Sequence, residues 1–476
     1  MSTKIWSKFA TSFRNRSPSL TRNQRWLIGV GSSAAVTFGI GYYFTKYRDS
    51  SRGTYLSQYS YSNSYTDKYR YPTTIENQLK EAIWDESNRS NYQYKESLTK
   101  YIEVLNQLQE LNVNPLSDEY TRIELKVAEM FEKLNLHENA KNIYLEMLYR
   151  FFESLNTPGM VPDELRPELI RKDLRVLIKS LEINKNLEIG KRNLLAHLLL
   201  AQEEILIRSP ELKKFFDTKR EKAEKLVRGK PINASDFQTF VKDENFKFNE
   251  DGYMIMDLQK NTSAWEPFKE EFFTARDLYT AYCLSAKDVP SALSCKMTTV
   301  QWMVMADMPP GQILLAQANL GALLYLQAER FESDLYQIDS KCKMDPGFME
   351  DDKVVKALRY LRKNRDTCLQ MANQCYDSIM KFSNEHHKLR YHMKDQLDVA
   401  IPQAIALSTY GKGILSLHDG ILNKAERFLL DAISLAKETD FEELLKEAEG
   451  ELKKTRDLKE HNLSLKSEKD NVEATS

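Results

Sequence analysis

Residues 121–148, TRIELKVAEMFEKLNLHENAKNIYLEML, contain a spacing of small residues from which the fold is predicted. Counted from the first of them, Ala128 stands at position 8, Ala140 at position 20 and Tyr144 at position 24. Two small side chains at these positions let consecutive helices cross closely, because each fills the slot that faces the other. A helix-turn-helix unit with this spacing indicates a repeat of about 34 residues.

The same spacing returns near the carboxyl end and, interrupted, in the middle of the chain. Residues 408–433 place Gly413 and Ala425 in the two small slots. In the interrupted copy, Gly321 belongs to the first helix and Ala372 belongs to the second. Three pairs with the same small positions are stronger evidence than one, since Ala and Leu at helical spacing are common in any helical core.

Two weaker helix pairs, at 163–207 and 266–307, extend the pattern. Because about three repeats are the minimum for a stable stack, the number of pairs is sufficient. The sequence therefore predicts an all-α fold, a tetratricopeptide-like helical-repeat solenoid over residues 75–460, with insertions near 230–265 and 331–365.

Composition supports a helical globular protein and excludes several other classes. Of the 476 residues, 29% are charged and 42% are hydrophobic, which is ordinary for a folded domain. Only 16 Gly and 14 Pro are present, fewer than a β-sandwich or barrel needs for its turns. The 68 basic and 69 acidic residues balance, so the whole chain has no nucleic-acid footprint. Five irregularly spaced cysteines do not form a disulfide scaffold.

The amino end has a different character. Residues 1–25 contain six Lys or Arg, eight Ser or Thr and no acidic residue. An Arg-rich, Ser-rich amphipathic start without acids is typical of a mitochondrial targeting segment, here facing the matrix. The alternative is a basic tail that only orients the membrane anchor that follows.

Residues 26–44, WLIGVGSSAAVTFGIGYYF, are 19 residues without a charge and predict one transmembrane helix. Because the basic residues precede it, we expect the amino terminus on the inner side and the rest of the chain on the far side of the membrane. Small residues in rows along this helix predict a packing face for a partner helix, although Gly is common in membrane spans in any case. The predicted packing face consists of Gly29, Gly31, Ser33, Ala35, Gly39 and Gly41.

Three further segments have little capacity to form a core. Residues 45–74 are rich in Tyr and Ser and predict a linker between the membrane and the folded domain. The insertion near 230–265 contains alternating apolar residues around Gly252, which predict a loop with a short strand or hairpin. Residues 461–476 form a polar tail.

The sequence contains no recognisable catalytic or cofactor motif. It lacks a phosphate-binding GxxxxGK[ST] loop, a GxSxG nucleophile motif and an HExxH zinc motif. His386, His387 and His392 are not spaced to place two imidazoles on one helical face, so a metal site is not expected there. We therefore predict a protein that is not an enzyme and that has no catalytic, cofactor-binding or metal-binding residues.

Recognition remains as the function, because stacked helix pairs leave a concave face that holds peptides. Its contacts come mainly from the first helix of each pair. In the first pair these positions are mixed in character, whereas in the two later pairs they are apolar, which suits hydrophobic segments of unfolded chains. The alternative is that the insertions bury some of these positions. The candidate peptide groove consists of Leu315, Ala318, Ala322, Tyr325, Leu407, Tyr410, Ile414 and Leu417.

Several long stretches resemble one protein family. They include DEYTRIELKVAEMFEKLN, SAWEPFKEEFFTARDLYTAYCLSAKD, QWMVMADMPPGQILLAQANLG and ALSTYGKGILSLHDG. These stretches resemble the fungal tetratricopeptide-repeat adaptor subunit of the mitochondrial i-AAA protease, over roughly residues 75–455. The adaptor itself and a paralogue with another partner both agree with the resemblance.

The resemblance implies a single-pass protein of the mitochondrial inner membrane, with its amino terminus in the matrix and its repeats in the intermembrane space. There it would bind the membrane-anchored, ATP-dependent zinc protease together with a second adaptor subunit, and deliver unfolded polypeptide substrates. Two alternatives from other classes are an outer-membrane import receptor and an assembly factor for a respiratory complex.

Overall fold

The computed structural model describes residues 71–87, 93–183, 186–227, 247–344, 352–386 and 399–473. The predicted targeting segment, the predicted transmembrane helix with its packing face, nearly all of the Tyr/Ser-rich linker, His387 and His392 lie outside the described residues. None of the helices in the described part combines the length and the apolarity that crossing a bilayer requires.

The described residues are built almost entirely from α-helices, so the prediction of an all-α fold is confirmed for them. The described part contains fourteen α-helices, one two-stranded sheet and a short 3-10 helix at Thr262–Ala264. The elements are α1 (Thr73–Ser87), α2 (Tyr94–Glu110), α3 (Asp118–Lys133), α4 (His137–Asn156), α5 (Arg166–Ile183), α6 (Leu187–Arg208), α7 (Pro210–Val227), β1 (Lys247–Phe248), β2 (Met254–Ile255), α8 (Lys269–Ser285), α9 (Val289–Met305), α10 (Pro310–Met344), α11 (Asp352–Glu385), α12 (Ala400–His418), α13 (Leu422–Glu438) and α14 (Glu442–Glu473).

These elements form two compact units. The amino-terminal unit contains α1 to α6 together with α8, and the carboxy-terminal unit contains the β-hairpin and α9 to α14. In both units each helix packs against the next one along the chain, as expected for helix pairs joined by short turns.

The turn between α3 and α4 shows how local sequence produces a helix pair. Ser117 caps the start of α3, because its side chain accepts a hydrogen bond from the backbone N–H of Tyr120. At the end of α3, Asn135 adopts a left-handed backbone with φ of 59°, and the N–H of Leu136 donates to the carbonyl of Phe131 at 2.8 Å. The two small residues of this pair, Ala128 and Ala140, are completely buried.

Glycine allows the closest helix contacts in the amino-terminal unit. A Cβ on Gly190, in the first turn of α6, would overlap the ring of Tyr282 in α8 and lie 3.1 Å from Cδ2 of Leu181 in α5. The backbone of α6 therefore approaches both neighbours at a distance that a larger residue would prevent.

In the carboxy-terminal unit, α12 and α13 repeat the predicted spacing. A Cβ on Gly413 would lie 3.1 Å from Cγ of Leu429, so the small slot faces the second helix. Gly420 lies between the two helices with φ of 73°, a conformation that glycine adopts readily.

Both predicted insertions contain regular structure. The described end of the first one forms a hairpin, in which β1 pairs antiparallel with β2 and Gly252 turns the chain with φ of 77°. Gln317 of α10 fixes this hairpin, since its side-chain amide donates to the carbonyl of Gly252 and its oxygen accepts from the N–H of Met254. The insertion near 331–365 lengthens α10 and α11 to 35 and 34 residues.

Candidate functional site

The eight predicted groove residues lie on two helices of the carboxy-terminal unit, four on α10 and four on α12. Seven of the eight are buried, and Leu417 is partly buried. Tyr325 is 7% exposed and its ring lies edge-on to the imidazole of His418, with 5.8 Å between centroids. The four predicted residues of α10 and the four of α12 therefore lie together in the core of the carboxy-terminal unit, and not on an open surface.

The physical reason lies in how many helices surround α10 and α12. Helix α10 packs against α9, α11 and α12, and α12 packs against α10, α11, α13 and α14. Between residues 313 and 325 every side chain of α10 is buried. A helix that is apolar on all sides is a buried helix, whereas a helix with an open face carries polar residues on that face. Peptide binding at these eight residues stays a prediction, and it requires the covering helices to move.

The carboxyl-terminal helix supplies the charged part of this region. Glu451 of α14 is 1% exposed, and the Nζ of Lys454 lies 2.8 Å from one of its oxygens. Burial raises the pKa of Glu451 to about 7, against the smaller opposing effect of the Lys454 ammonium. Burial, and then the negative charge of Glu451, raises the pKa of Tyr410, so this predicted groove residue stays a neutral phenol.

A charged face of the amino-terminal unit is more accessible. Helix α5 presents Lys172, Arg175 and Lys179 on one side, and all three are partly exposed. Arg175 pairs with Glu271 of α8 at 2.6 Å, and Lys179 pairs with Glu132 of α3 at 3.3 Å. Because these charges neutralise one another, the face connects α3, α5 and α8 and presents little net charge to a ligand.

Two acidic groups inside this unit are also paired. Oδ2 of Asp173 in α5 lies 2.7 Å from Nδ1 of His197 in α6, and the imidazole packs 4.9 Å from the ring of Phe152. Burial raises the pKa of Asp173, and the hydrogen bond from His197 opposes that shift. Glu124 forms an ion pair with Arg150, and burial raises its pKa to about 7. Both pairs join neighbouring helices within the core.

Sequence reasoning missed an exposed apolar surface on α6. Leu195, Leu199 and Ile207 are 41%, 53% and 58% exposed, while Leu194, Leu198, Ala201 and Ile205 of the same helix are buried. We call the three exposed residues the α6 face. A signal was present in the sequence, because Leu195 and Leu199 stand one turn apart beside the buried Leu194 and Leu198, so the apolar residues of α6 extend beyond the side that its neighbours cover.

The structure adds little to the search for catalytic groups. Within the described ranges, no three His, Cys, Asp or Glu side chains are grouped so that they would hold a metal ion. His386 stacks on Phe382 with 4.5 Å between ring centroids. Burial raises the pKa of the Cys368 and Cys375 thiols, which keeps both in the protonated form.

This chain is similar to two known proteins over most of its length, and its middle part matches a protein family. Residues 158–308 match the family described as the MGR3 middle domain. The Saccharomyces cerevisiae protein named mitochondrial inner membrane i-AAA protease supercomplex subunit MGR3 is 59% identical over 405 residues, which are 84% of this chain and 80% of the relative. A second S. cerevisiae protein, named protein MRG3-like, is 32% identical over 437 residues, which are 90% of this chain and 88% of that relative.

Proposed function

The chain belongs to the family of the i-AAA protease supercomplex subunit MGR3, and on that premise we propose that it is a non-enzymatic adaptor of this protease complex in the mitochondrial inner membrane. The observation that carries the proposal is the 59% identity over 84% of the chain. The helix pairs of both units support it, since tetratricopeptide-like repeats are scaffolds for protein recognition.

The membrane arrangement is the one that the sequence predicts. In this proposal residues 26–44 cross the inner membrane once, with the amino terminus in the matrix and the helical domain in the intermembrane space. The small residues of the span pack against helices of the protease complex, which contains the zinc protease and a second adaptor subunit.

The helical domain would bind unfolded substrate segments and bring them to the protease. Weak binding is sufficient, because a shared membrane anchor raises the effective concentration of adaptor and protease for each other. We place the first contact with apolar segments on the α6 face, whose three side chains are accessible. The predicted groove on α10 and α12 is the second candidate, and it would act only after its covering helices open.

Cross-linking distinguishes these two surfaces. A photo-activatable residue is placed at Leu199 in one variant and at Tyr325 in another, and an unfolded membrane-anchored reporter is added as substrate. We expect reporter cross-links from Leu199 and none from Tyr325. Cross-links from Tyr325 alone would instead assign the substrate to the groove and show that it opens.

Three measurements test the function as a whole. A tagged chain should co-purify with the protease from mild detergent, and its deletion should slow turnover of the reporter. In a protease-protection assay, a carboxyl-terminal tag should be lost only after the outer membrane is ruptured. Loss of the tag in intact mitochondria would favour the outer-membrane receptor, and loss of one respiratory complex with normal reporter turnover would favour the assembly factor.

A further inference from the structure

The outward side of α11 carries a concentration of positive charge that the adaptor function leaves unexplained. Between Asp352 and Asp366 the helix has six Lys or Arg residues and no acidic residue. The chain as a whole has a net charge of −1, so this stretch is a local positive region on an almost neutral protein. Such a region creates an attractive potential for anionic partners.

The charges point away from the body of the helix pair. Leu358 and Asn364 are buried on the inner side of α11, which packs along α10. At 100° per residue the opposite side gathers six of the residues between Asp352 and Asp366, all of them exposed, and the exposed Asp352 and Asp366 lie at the two ends of the same side. We call these six the basic face: Val355, Lys356, Arg359, Tyr360, Arg362 and Lys363.

Three of the four cations of the basic face have no ion-pair partner among the described residues. Lys356 pairs with Asp352 at 2.5 Å, one turn away. Arg359, Arg362 and Lys363 form no ion pair with any of the residues that the structure describes. Three neighbouring exposed cations without acidic partners produce a positive local potential, which attracts an anionic partner.

Apolar side chains accompany these cations. Val355 and Tyr360 flank them with 39% and 40% of their surface exposed, and Met344 at the end of α10 is 87% exposed. Cations mixed with exposed aliphatic and aromatic groups are the combination that binds the interface of a membrane, where phosphates take the charges and the apolar groups enter the headgroup region. An acidic protein surface would satisfy the cations alone.

We infer that the basic face of α11 lies on the anionic surface of the membrane that anchors the chain. The inference rests on the proposed membrane location, because the anchor keeps the helical domain close to the lipid. Contact at this second point holds the carboxy-terminal unit in one orientation against the bilayer.

The test uses the full chain and lipid vesicles, without the protease. Val355 is replaced by Cys and labelled with bimane, and the wild-type chain labelled in the same way gives the background from its own cysteines. The vesicles contain phosphatidylcholine alone or phosphatidylcholine with cardiolipin, and spin-labelled lipid quenches a bimane at the surface. We expect quenching with cardiolipin and little without it, and we expect raised salt to abolish it.

Charge reversal supplies the matched comparison. In the labelled chain, Arg359→Glu with Lys363→Glu should abolish the quenching. Lys446→Glu with Lys453→Glu makes the same change of net charge at two exposed positions of α14, and it should leave the quenching intact.

Three outcomes would overturn the inference: no quenching with cardiolipin, equal quenching in neutral vesicles, or equal loss in both charge-reversal variants. A separate co-purification compares the charge-reversal variant with the wild type. If that variant no longer co-purifies with the protease and no lipid quenching is seen, the basic face binds an acidic protein instead. Retention of the chain on vesicles after a salt wash reports the membrane anchor separately. Failure of the anchor or of protease association is therefore distinguishable from failure of the basic face.

Discussion

The ring of Tyr376 packs directly against the backbone of Gly411: a Cβ on that glycine would lie 2.6 Å from Cε2 of the tyrosine. The same ring meets Gly321, where a Cβ would lie 2.7 Å from Cε1. Tyr376 is 2% exposed, so its ring has little room to move. One aromatic ring and two glycines thus set the distance between α10, α11 and α12.

Gly411→Ala should destabilise the carboxy-terminal unit. Alanine gains roughly 1 kcal/mol in helix propensity, but overpacking a core typically costs about 1–3 kcal/mol, and the buried ring of Tyr376 gives no space for the methyl group. Denaturant unfolding would measure the change. As a control, Gly450→Ala places a methyl group where no atom lies within 4 Å, and this variant should be as stable as the wild type or more so. Equal stabilisation in both variants would contradict the packing argument.

Glu451→Gln should remove a pH dependence of stability. The pKa of Glu451 rises from 4.5 to about 7 on folding, so the native state holds this proton more tightly than the unfolded state. The associated stability is fully present below pH 4.5 and is lost as the pH rises to about 7. At 1.36 kcal/mol per pKa unit, the loss is on the order of 3 kcal/mol.

Unfolding free energies of wild type and Glu451→Gln, measured across this pH range, should diverge as the pH rises, with the variant more stable at neutral pH. Glu449→Gln changes an exposed carboxylate of the same helix and should follow the wild type. Parallel curves for wild type and Glu451→Gln would show that Glu451 titrates normally.

Arg175→Ala should destabilise the amino-terminal unit by about 1–3 kcal/mol, because it leaves the buried carboxylate of Glu271 without the partly exposed guanidinium that pairs with it. Adding Glu271→Gln to this variant removes the buried charge and should restore much of the lost stability. Thermal unfolding of the two single variants and the double variant gives the coupling energy. Additive effects would mean that the pair contributes nothing specific.

Gly31→Leu with Gly39→Leu should release the chain from the protease complex while leaving it in the membrane. Leucine keeps the span apolar but holds neighbouring helices apart. Co-purification from mild detergent and carbonate extraction measure the two properties. Val36→Leu with Ile40→Leu keeps the span apolar and leaves every residue of the predicted packing face unchanged, so this control should bind normally. Unchanged co-purification of the glycine variant would eliminate the packing face.

The helix pairs were predictable because their causes are local. The small slots at Ala128 and Ala140 and at Gly413 and Ala425 stand at a fixed separation in the sequence, and the structure buries all four. Gly420 occupies the turn between α12 and α13, where its φ of 73° suits a residue without a side chain. Such features depend on residues within one repeat, so the order of the amino acids is sufficient to specify them.

The accessibility of the candidate site was decided only by the tertiary structure. Periodicity showed that Leu315 and Tyr410 lie on apolar sides of their helices, but an apolar side is equally compatible with a groove and with a core. Helices from distant parts of the sequence cover both residues, while the α6 face and the basic face remain exposed. The residues that form helices, and the neighbouring helices that pair, followed from the order of the amino acids, because those interactions are short-range. Which faces remain available for binding depended on long-range packing, since burial is a property of all the neighbours of a residue and not of its own helix.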